Sequence, residues 1–306
     1  MTIDYCLKEG IGILKTNNIQ DFEYDAFSLL EYVTGINRSD FFLKKCEKIS
    51  ESDYNNYKAL LERRIKREPL QHITGTQNFY GYDFFVNSDV LIPRQDTEVL
   101  IEKAIEVIED NFQLDNSYCI NILDMCTGSG CIAITLYKEL IKRGYNIDVT
   151  ATDLSDKALA IAEQNSKSLI VVKSEEDKFE ESKSGEDTFH IVKSDLFTNL
   201  SRDKKFHIIV SNPPYIPRHD IEKLEPEVRN YDPIIALDGD VDGLKFYREI
   251  INESSNYLND KGFIAFEIGY NQGADVEELL QRKGYGDIHI YKDLGGLDRV
   301  IIGRNN

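Results

Sequence analysis

The chain has 306 residues, 41% of them hydrophobic, and a formal net charge of −18. That length is roughly twice the commonest domain size and predicts one large domain beside a smaller one. No apolar run approaches the ~18 residues of a membrane span, and the acidity argues against the broad phosphate-neutralising surface of a stand-alone DNA-binding protein.

The first residues include Asp4 and Glu9 and show no basic segment followed by an apolar one, so no secretory signal is expected and the cytoplasm is the expected compartment. Five cysteines form no C-x-x-C pair and are expected to be reduced. Cys126 and Cys131 lack a His or Cys partner at zinc spacing, so no metal is expected.

From about residue 20 to 68 the pattern is helical, with Tyr54, Tyr57, Leu60, Leu61 and Ile65 at spacings of three and four after caps at Ser50 or Ser52. Pro69 is expected to end that helix. Arg63, Arg64, Lys66 and Arg67 share the segment with Glu62 and Glu68 and read as a solvated face. Residues 1–72 are expected to form a small all-α domain, a module for packing or for substrate docking. Residues 73–92, aromatic around Gly81, read as a β-hairpin linker.

From residue 93 to 306 helices and strands alternate: a helix over 96–110, a strand at 120–124, a helix at 131–142, and strands at 147–152, 189–192, 206–210 and 262–268. Such alternation predicts an α/β domain with a parallel sheet covered by helices on both faces. The last two apolar runs, 288–291 and 300–302, have no helix between them and read as an antiparallel pair at the sheet edge. Lys173–Asp187 carries seven acidic residues against three lysines and reads as a mobile surface insertion.

The strand at 120–124 runs into Met125-Cys126-Thr127-Gly128-Ser129-Gly130 and then a helix. Glycines there let a ligand approach the backbone, and ligands of open parallel sheets sit at the carboxyl ends of strands. Asp153 ends the next strand, where a carboxylate can accept both hydroxyls of a ribose. The turn also satisfies G-x-G-x-x-G/A, so a nicotinamide dinucleotide and S-adenosylmethionine both remain open at this point. Asp124 favours the latter, because a carboxylate suits a cationic amino group better than a pyrophosphate.

Ser211-Asn212-Pro213-Pro214-Tyr215 follows the strand at 206–210 and is expected over the same pocket edge. An amide nitrogen is a poor nucleophile, because its lone pair is shared with the carbonyl. The Asn212 side-chain oxygen and the Pro213 carbonyl can each accept one hydrogen of a substrate NH2 group, fixing its rotation and drawing electron density toward nitrogen. The prolines stiffen the loop, and Tyr215 can stack on the planar group and exclude water. A dehydrogenase leaves this tetrad unexplained.

At these residues the chain resembles the S-adenosylmethionine-dependent methyltransferases with a (D/N)PPY motif. Pro69-Leu70-Gln71-His72-Ile73-Thr74-Gly75, Leu91-Ile92-Pro93-Arg94-Gln95-Asp96-Thr97-Glu98, and Glu225-Pro226 ahead of Ala236-Leu237 narrow the resemblance to the release factor glutamine methyltransferases, over nearly the whole chain. The resemblance implies a Rossmann-like class I methyltransferase sheet with an antiparallel edge pair. It implies S-adenosyl-L-methionine as cofactor, and peptide chain release factors as protein substrates, methylated at N5 of the Gln in a Gly-Gly-Gln motif. It implies cofactor binding by Asp124, Cys126, Thr127, Gly128, Ser129, Gly130, Asp153, Leu154, Asp195, Leu196 and Asn212. Asn212, Pro213, Pro214 and Tyr215 would hold the glutamine, with Arg94 and Glu98 in the pocket wall. The family usually has Gly at position 126, Pro at 95 and an aromatic residue at 196. A nucleic-acid amino methyltransferase would show a basic groove or a target-recognition domain, and neither is present. A non-catalytic S-adenosylmethionine-binding module would have no need of the tetrad.

Overall fold

The computed structural model describes residues 1–114, 118–170 and 188–306. The acidic run Lys173–Asp187 lies outside the described residues. The chain divides into two compact units, Met1–Thr76 with Leu224–Tyr231, and Gln77–Lys223 with Asp232–Asn306.

The first unit contains α1 (Ile3–Thr16), α2 (Phe22–Thr34), α3 (Arg38–Lys44), α4 (Glu51–Ile65), α5 (Leu70–Thr74) and, from later in the chain, α9 (Pro226–Tyr231). Ser50 caps α4 by accepting from the Asp53 N–H at 3.0 Å. The helix stops at Ile65, before Pro69, because Arg67 turns left-handed at φ +70°; Pro69 opens α5 instead. Leu14, Ala26, Leu29, Leu30 and Leu61 pack around Tyr57, whose hydroxyl donates to the Ala26 carbonyl at 3.0 Å.

The basic cluster of α4 departs from the expected solvated face. Arg64 is buried, and its guanidinium bonds Asp25 at 2.7 Å and Glu227 at 3.1 Å, while Arg67 reaches the same Glu227 oxygen at 3.1 Å. The acidic partners lie far off in sequence, where helical spacing carries no information.

In the second unit, β1 (Thr76–Phe79) and β2 (Tyr82–Phe85) form a hairpin whose two turn residues, Tyr80 and Gly81, both have positive φ, +52° and +78°. That geometry suits the right-handed twist of the strands. Phe79 and Phe84 are buried edge to face in the core beside α6 (Glu98–Asn111), so the hairpin packs as part of the large unit.

The main sheet comprises β3 (Cys119–Met125), β4 (Asn146–Asp153), β5 (Thr188–Lys193), β6 (Phe206–Ser211), β7 (Leu258–Glu267), β8 (Tyr285–Lys292) and β9 (Asp298–Asn305), in the order β5-β4-β3-β6-β7-β9-β8. The first five are parallel, and β9 pairs antiparallel with both β7 and β8, giving the antiparallel edge. Side chains alternate faces along each strand. Ile120 and Ile122 of β3 join a core with α6 and α7 (Cys131–Lys142); Leu123 and Met125 join the opposite core with α10 (Lys245–Ser254) and α11 (Gly273–Lys283). Burial on both faces explains why β6 places Phe206, Ile208, Ile209 and Val210 almost without a break, with only His207 between them. Helix α8 (Asp156–Leu169) covers β4 and β5. Among the described residues no helix is long and apolar enough to cross a membrane.

Candidate active site

Strand order reverses between β3 and β6, the place where an open parallel sheet leaves a crevice at its carboxyl ends. Register fixes what meets there. Met125 pairs with Ser211, and Ser211 with Phe266, so Cys126, Asn212 and Glu267 follow as the next row across three strands. A cavity open to solvent is lined by the glycine turn, by Asn212 and Pro214, by Asp89, Val90, Leu91, Pro93, Arg94 and Thr97, and by Pro233, Ile235 and Ala236.

The turn is held from behind. Thr127 N–H donates to the Thr152 carbonyl at 2.9 Å, and Gly130 N–H to the Thr127 carbonyl at 2.9 Å. Cys126, Gly128 and Gly130 all have positive φ, +61°, +55° and +82°. The left-handed backbone at position 126 favours glycine, and Cys126 adopts it at a steric cost. A Cβ added to Gly128 would meet nothing within 4 Å, whereas one on Gly130 would press on Ile134 and Ala162. Gly128 therefore opens the cavity, and Gly130 serves helix packing.

Asp124 is fully buried and lies outside the cavity lining. Its Oδ2 accepts from Thr127 Oγ1 at 2.5 Å and from the Ala133 N–H at 3.1 Å, so it braces the turn and the start of α7. Its Oδ1 has no hydrogen-bond partner, and neither has the buried Ser129 Oγ. Burial pushes the Asp124 carboxyl up to about 7, against the bonds from Thr127 and Ala133 and with the Asp153 charge adding. Asp153 does line the cavity; its Oδ2 accepts from Gly128 N–H and its Oδ1 from Ser155 N–H, both at 2.9 Å. Burial raises its pKa despite those bonds. Leu154, Asp195 and Leu196 line the same cavity.

Within the tetrad, Asn212 and Pro214 reach the cavity, whereas Pro213 and Tyr215 are outside its lining. The Tyr215 ring packs against the second core, and its hydroxyl points back to Glu267 Oε1 at 3.4 Å. Glu267 Oε2 accepts from Thr97 Oγ1 at 2.5 Å, and Thr97 Oγ1 in turn lies 3.4 Å from Asn212 Nδ2. Burial raises the Glu267 pKa to about 7, opposed by the Thr97 bond and the Arg299 charge.

Arg94 lines the cavity and pairs with Asp232 at 3.0 Å. Glu98 does not reach it: its carboxylate accepts from the Tyr80 N–H at 2.8 Å and ties the hairpin to α6. Sequence reading missed Thr97, Glu267 and Asn165. Glu267 had a signal, an acid at the carboxyl end of an apolar strand like Asp124 and Asp153. Asn165 had none; from α8 it bonds the Phe85 N–H, the Phe85 carbonyl and the Ser129 carbonyl at 2.8, 3.0 and 2.9 Å, tethering hairpin and turn.

The PrmC N-terminal domain family matches residues 6–75, and the Methyltransferase small domain family matches residues 101–228. A release factor glutamine methyltransferase of Fusobacterium nucleatum is 38% identical over 304 residues, covering 99% of this chain and 77% of that protein. The one from Geobacter sulfurreducens is 36% identical over 293 residues, covering 96% and 93%. The chain belongs to the release factor glutamine methyltransferase family. It is therefore a methyltransferase, and its sheet is the Rossmann-like sheet of that class. The solved hMettl16 catalytic domain, in complex with MAT2A 3′UTR hairpin 1, is 17% identical with a TM-score of 0.54, covering 94% of this chain and 91% of that one. At that identity the likeness concerns the fold alone.

Proposed function

We propose that this family member binds S-adenosyl-L-methionine in the cavity and methylates N5 of the glutamine in the Gly-Gly-Gln motif of peptide chain release factors, in the cytoplasm. The observation that carries the reading is the adjacency of the glycine turn and Asn212 at the reversal of strand order.

The residues present fit the cofactor. Gly128 leaves open space at the turn, Asp153 offers carboxylate lone pairs at the cavity wall, and Leu196 and Phe246 supply apolar surface for a flat base. The unpartnered Oγ of Ser129, a residue of the cavity lining, suits a polar group of such a ligand. When bound, S-adenosylmethionine supplies an electrophilic sulfonium methyl.

Chemistry on the substrate side falls to the tetrad. Asn212 Oδ1 and the Pro213 carbonyl would accept the two amide hydrogens, hold the nitrogen lone pair toward the cavity and stabilise positive charge developing on nitrogen. Pro214 and the apolar wall at Pro233, Ile235 and Ala236 would exclude water from the amide. Fixing the nitrogen in line with the methyl can supply ~7 to 11 kcal/mol of the barrier reduction. Arg94, neutralised on one side by Asp232, would contact the incoming peptide at the cavity rim. The helical unit Met1–Thr76 would dock the rest of the release factor.

Asn212→Ala is the test of this arrangement. Cofactor affinity should fall far less by calorimetry than turnover, since Asn212 is one contact of many in the cavity, and turnover on a release factor should fall by at least ~100-fold. Wild-type turnover in the variant would remove Asn212 from the mechanism.

A further inference from the structure

Asn212 can turn either its amide oxygen or its amide nitrogen toward the cavity, and only the oxygen can accept a hydrogen from a substrate NH2 group. Nothing within Asn212 itself makes that choice. Thr97 contacts its amide, and Glu267 contacts Thr97.

Thr97 and Glu267 are each 2% exposed, so water does not compete for their bonds. A hydroxyl carries one hydrogen and an ionised carboxylate only accepts, so the 2.5 Å contact commits the Thr97 hydrogen to Glu267. What Thr97 then offers to Asn212 is a pair of lone pairs, which attract Nδ2–H and repel Oδ1. We propose that Thr97 and Glu267 are positioning residues that set the amide orientation of Asn212, holding Nδ2 inward and leaving Oδ1 as the acceptor in the cavity. The inference rests on the role of Asn212 proposed above. The second Glu267 oxygen accepts from Tyr215, so one carboxylate braces both ends of the tetrad.

A proton on Glu267 reverses the polarity. The carboxylic acid donates to Thr97, the Thr97 hydrogen is released toward Asn212, and Oδ1 becomes the atom it attracts. The groups facing the carboxyl are Asp96 and Thr97 ahead of α6, Tyr215, Arg299 of β9, Cys131 of α7 and Tyr247 of α10. Arg299 favours the ionised form and Asp96 opposes it, while burial keeps the thiol and the phenols neutral. The orienting effect is therefore present above the Glu267 pKa and lost as pH falls through it.

The first measurement reads Asn212 directly, without substrate. Its side-chain NH2 resonances, assigned by their loss in Asn212→Asp, should shift with pH along the titration of Glu267 and should be pH-independent in Glu267→Gln. The second reads turnover: Thr97→Val should lower kcat about tenfold to a hundredfold with the KM for S-adenosylmethionine within about twofold, and Thr97→Ser should recover most of the loss. Asn212 resonances that ignore both pH and Glu267→Gln, or a Thr97→Val enzyme with wild-type kcat, would overturn the proposal. Full activity in Asn212→Ala would instead defeat the mechanism on which it rests, and the resonances would still report the amide orientation.

Discussion

Met125 and Ser211 face each other across the β3–β6 ladder, and the Ser211 hydroxyl donates to the Met125 carbonyl at 2.6 Å. The bond joins two strands at their last residues, immediately before Cys126 and Asn212 enter the cavity wall. Two loops that would otherwise move independently are thereby given a common floor. Ser211→Ala leaves a buried carbonyl short of a partner and is expected to cost about 1–3 kcal/mol in urea unfolding. An unchanged unfolding midpoint would show that the bond does not carry this load.

Asn165 is fully buried, and its amide makes three bonds to the backbone of the hairpin and the glycine turn. Asn165→Ala should destabilise the protein by about 3 kcal/mol, the scale of stranding buried backbone groups. It should also weaken S-adenosylmethionine binding in calorimetry, because the Ser129 carbonyl loses its tether. Wild-type affinity in a folded variant would separate the tether from cofactor binding.

In the helical unit, the Arg64 and Asp25 side chains are only 9% and 6% exposed. Burial raises the Asp25 pKa even with Arg64 beside it. Arg64→Ala leaves the Asp25 carboxylate without its buried cation and Glu227 with Arg67 alone, and should cost about 3–5 kcal/mol. Lys66→Ala, on the exposed neighbour, should stay within about 0.5 kcal/mol. Equal denaturation midpoints for the two variants would mean that the buried pair is not structurally important.

What was legible in the sequence follows from the range of each signal. The glycine turn, the acid at the end of β4, the tetrad and the alternation of strands and helices are local patterns, and strands buried on both faces announce themselves as apolar runs. Asn212 and the glycine turn could be placed on one pocket edge because each follows a strand of a parallel sheet. Long-range pairing was not legible. Arg64 finds Glu227 163 residues away, and Asn165 reaches back to Phe85 across 80. The hairpin read as a linker because its alternation gives no sign of what its buried face would meet, and Phe79 and Phe84 meet the main core. Asp124 was expected to face the cofactor, but strand alternation and its bonds to Thr127 and Ala133 place it behind the turn.

Three buried carboxyls give stability a definite dependence on pH. Burial raises Asp124 and Glu267 to about 7 and Asp232 to about 6, all above the ordinary carboxylate range. A group of this kind binds its proton more tightly in the folded state. Its stabilising contribution is complete below the unfolded pKa and is lost as pH rises through the folded value. Urea midpoints should therefore fall as pH rises from about 4, the unfolded carboxylate value, to about 7, and level off above it; Glu267→Gln and Asp232→Asn should each flatten that fall. Parallel profiles for wild type and variants would assign the slope to other groups, including the mutual repulsion of an acidic chain.

The identity of the methyl acceptor is open to a direct competition. The enzyme is incubated with S-adenosylmethionine labelled in its methyl group, a peptide chain release factor and duplex DNA in the same vessel, and the label is located by peptide mass spectrometry. Label is expected on N5 of the glutamine in the Gly-Gly-Gln motif and none on DNA. Label on DNA, or on a release factor outside that glutamine, would contradict it.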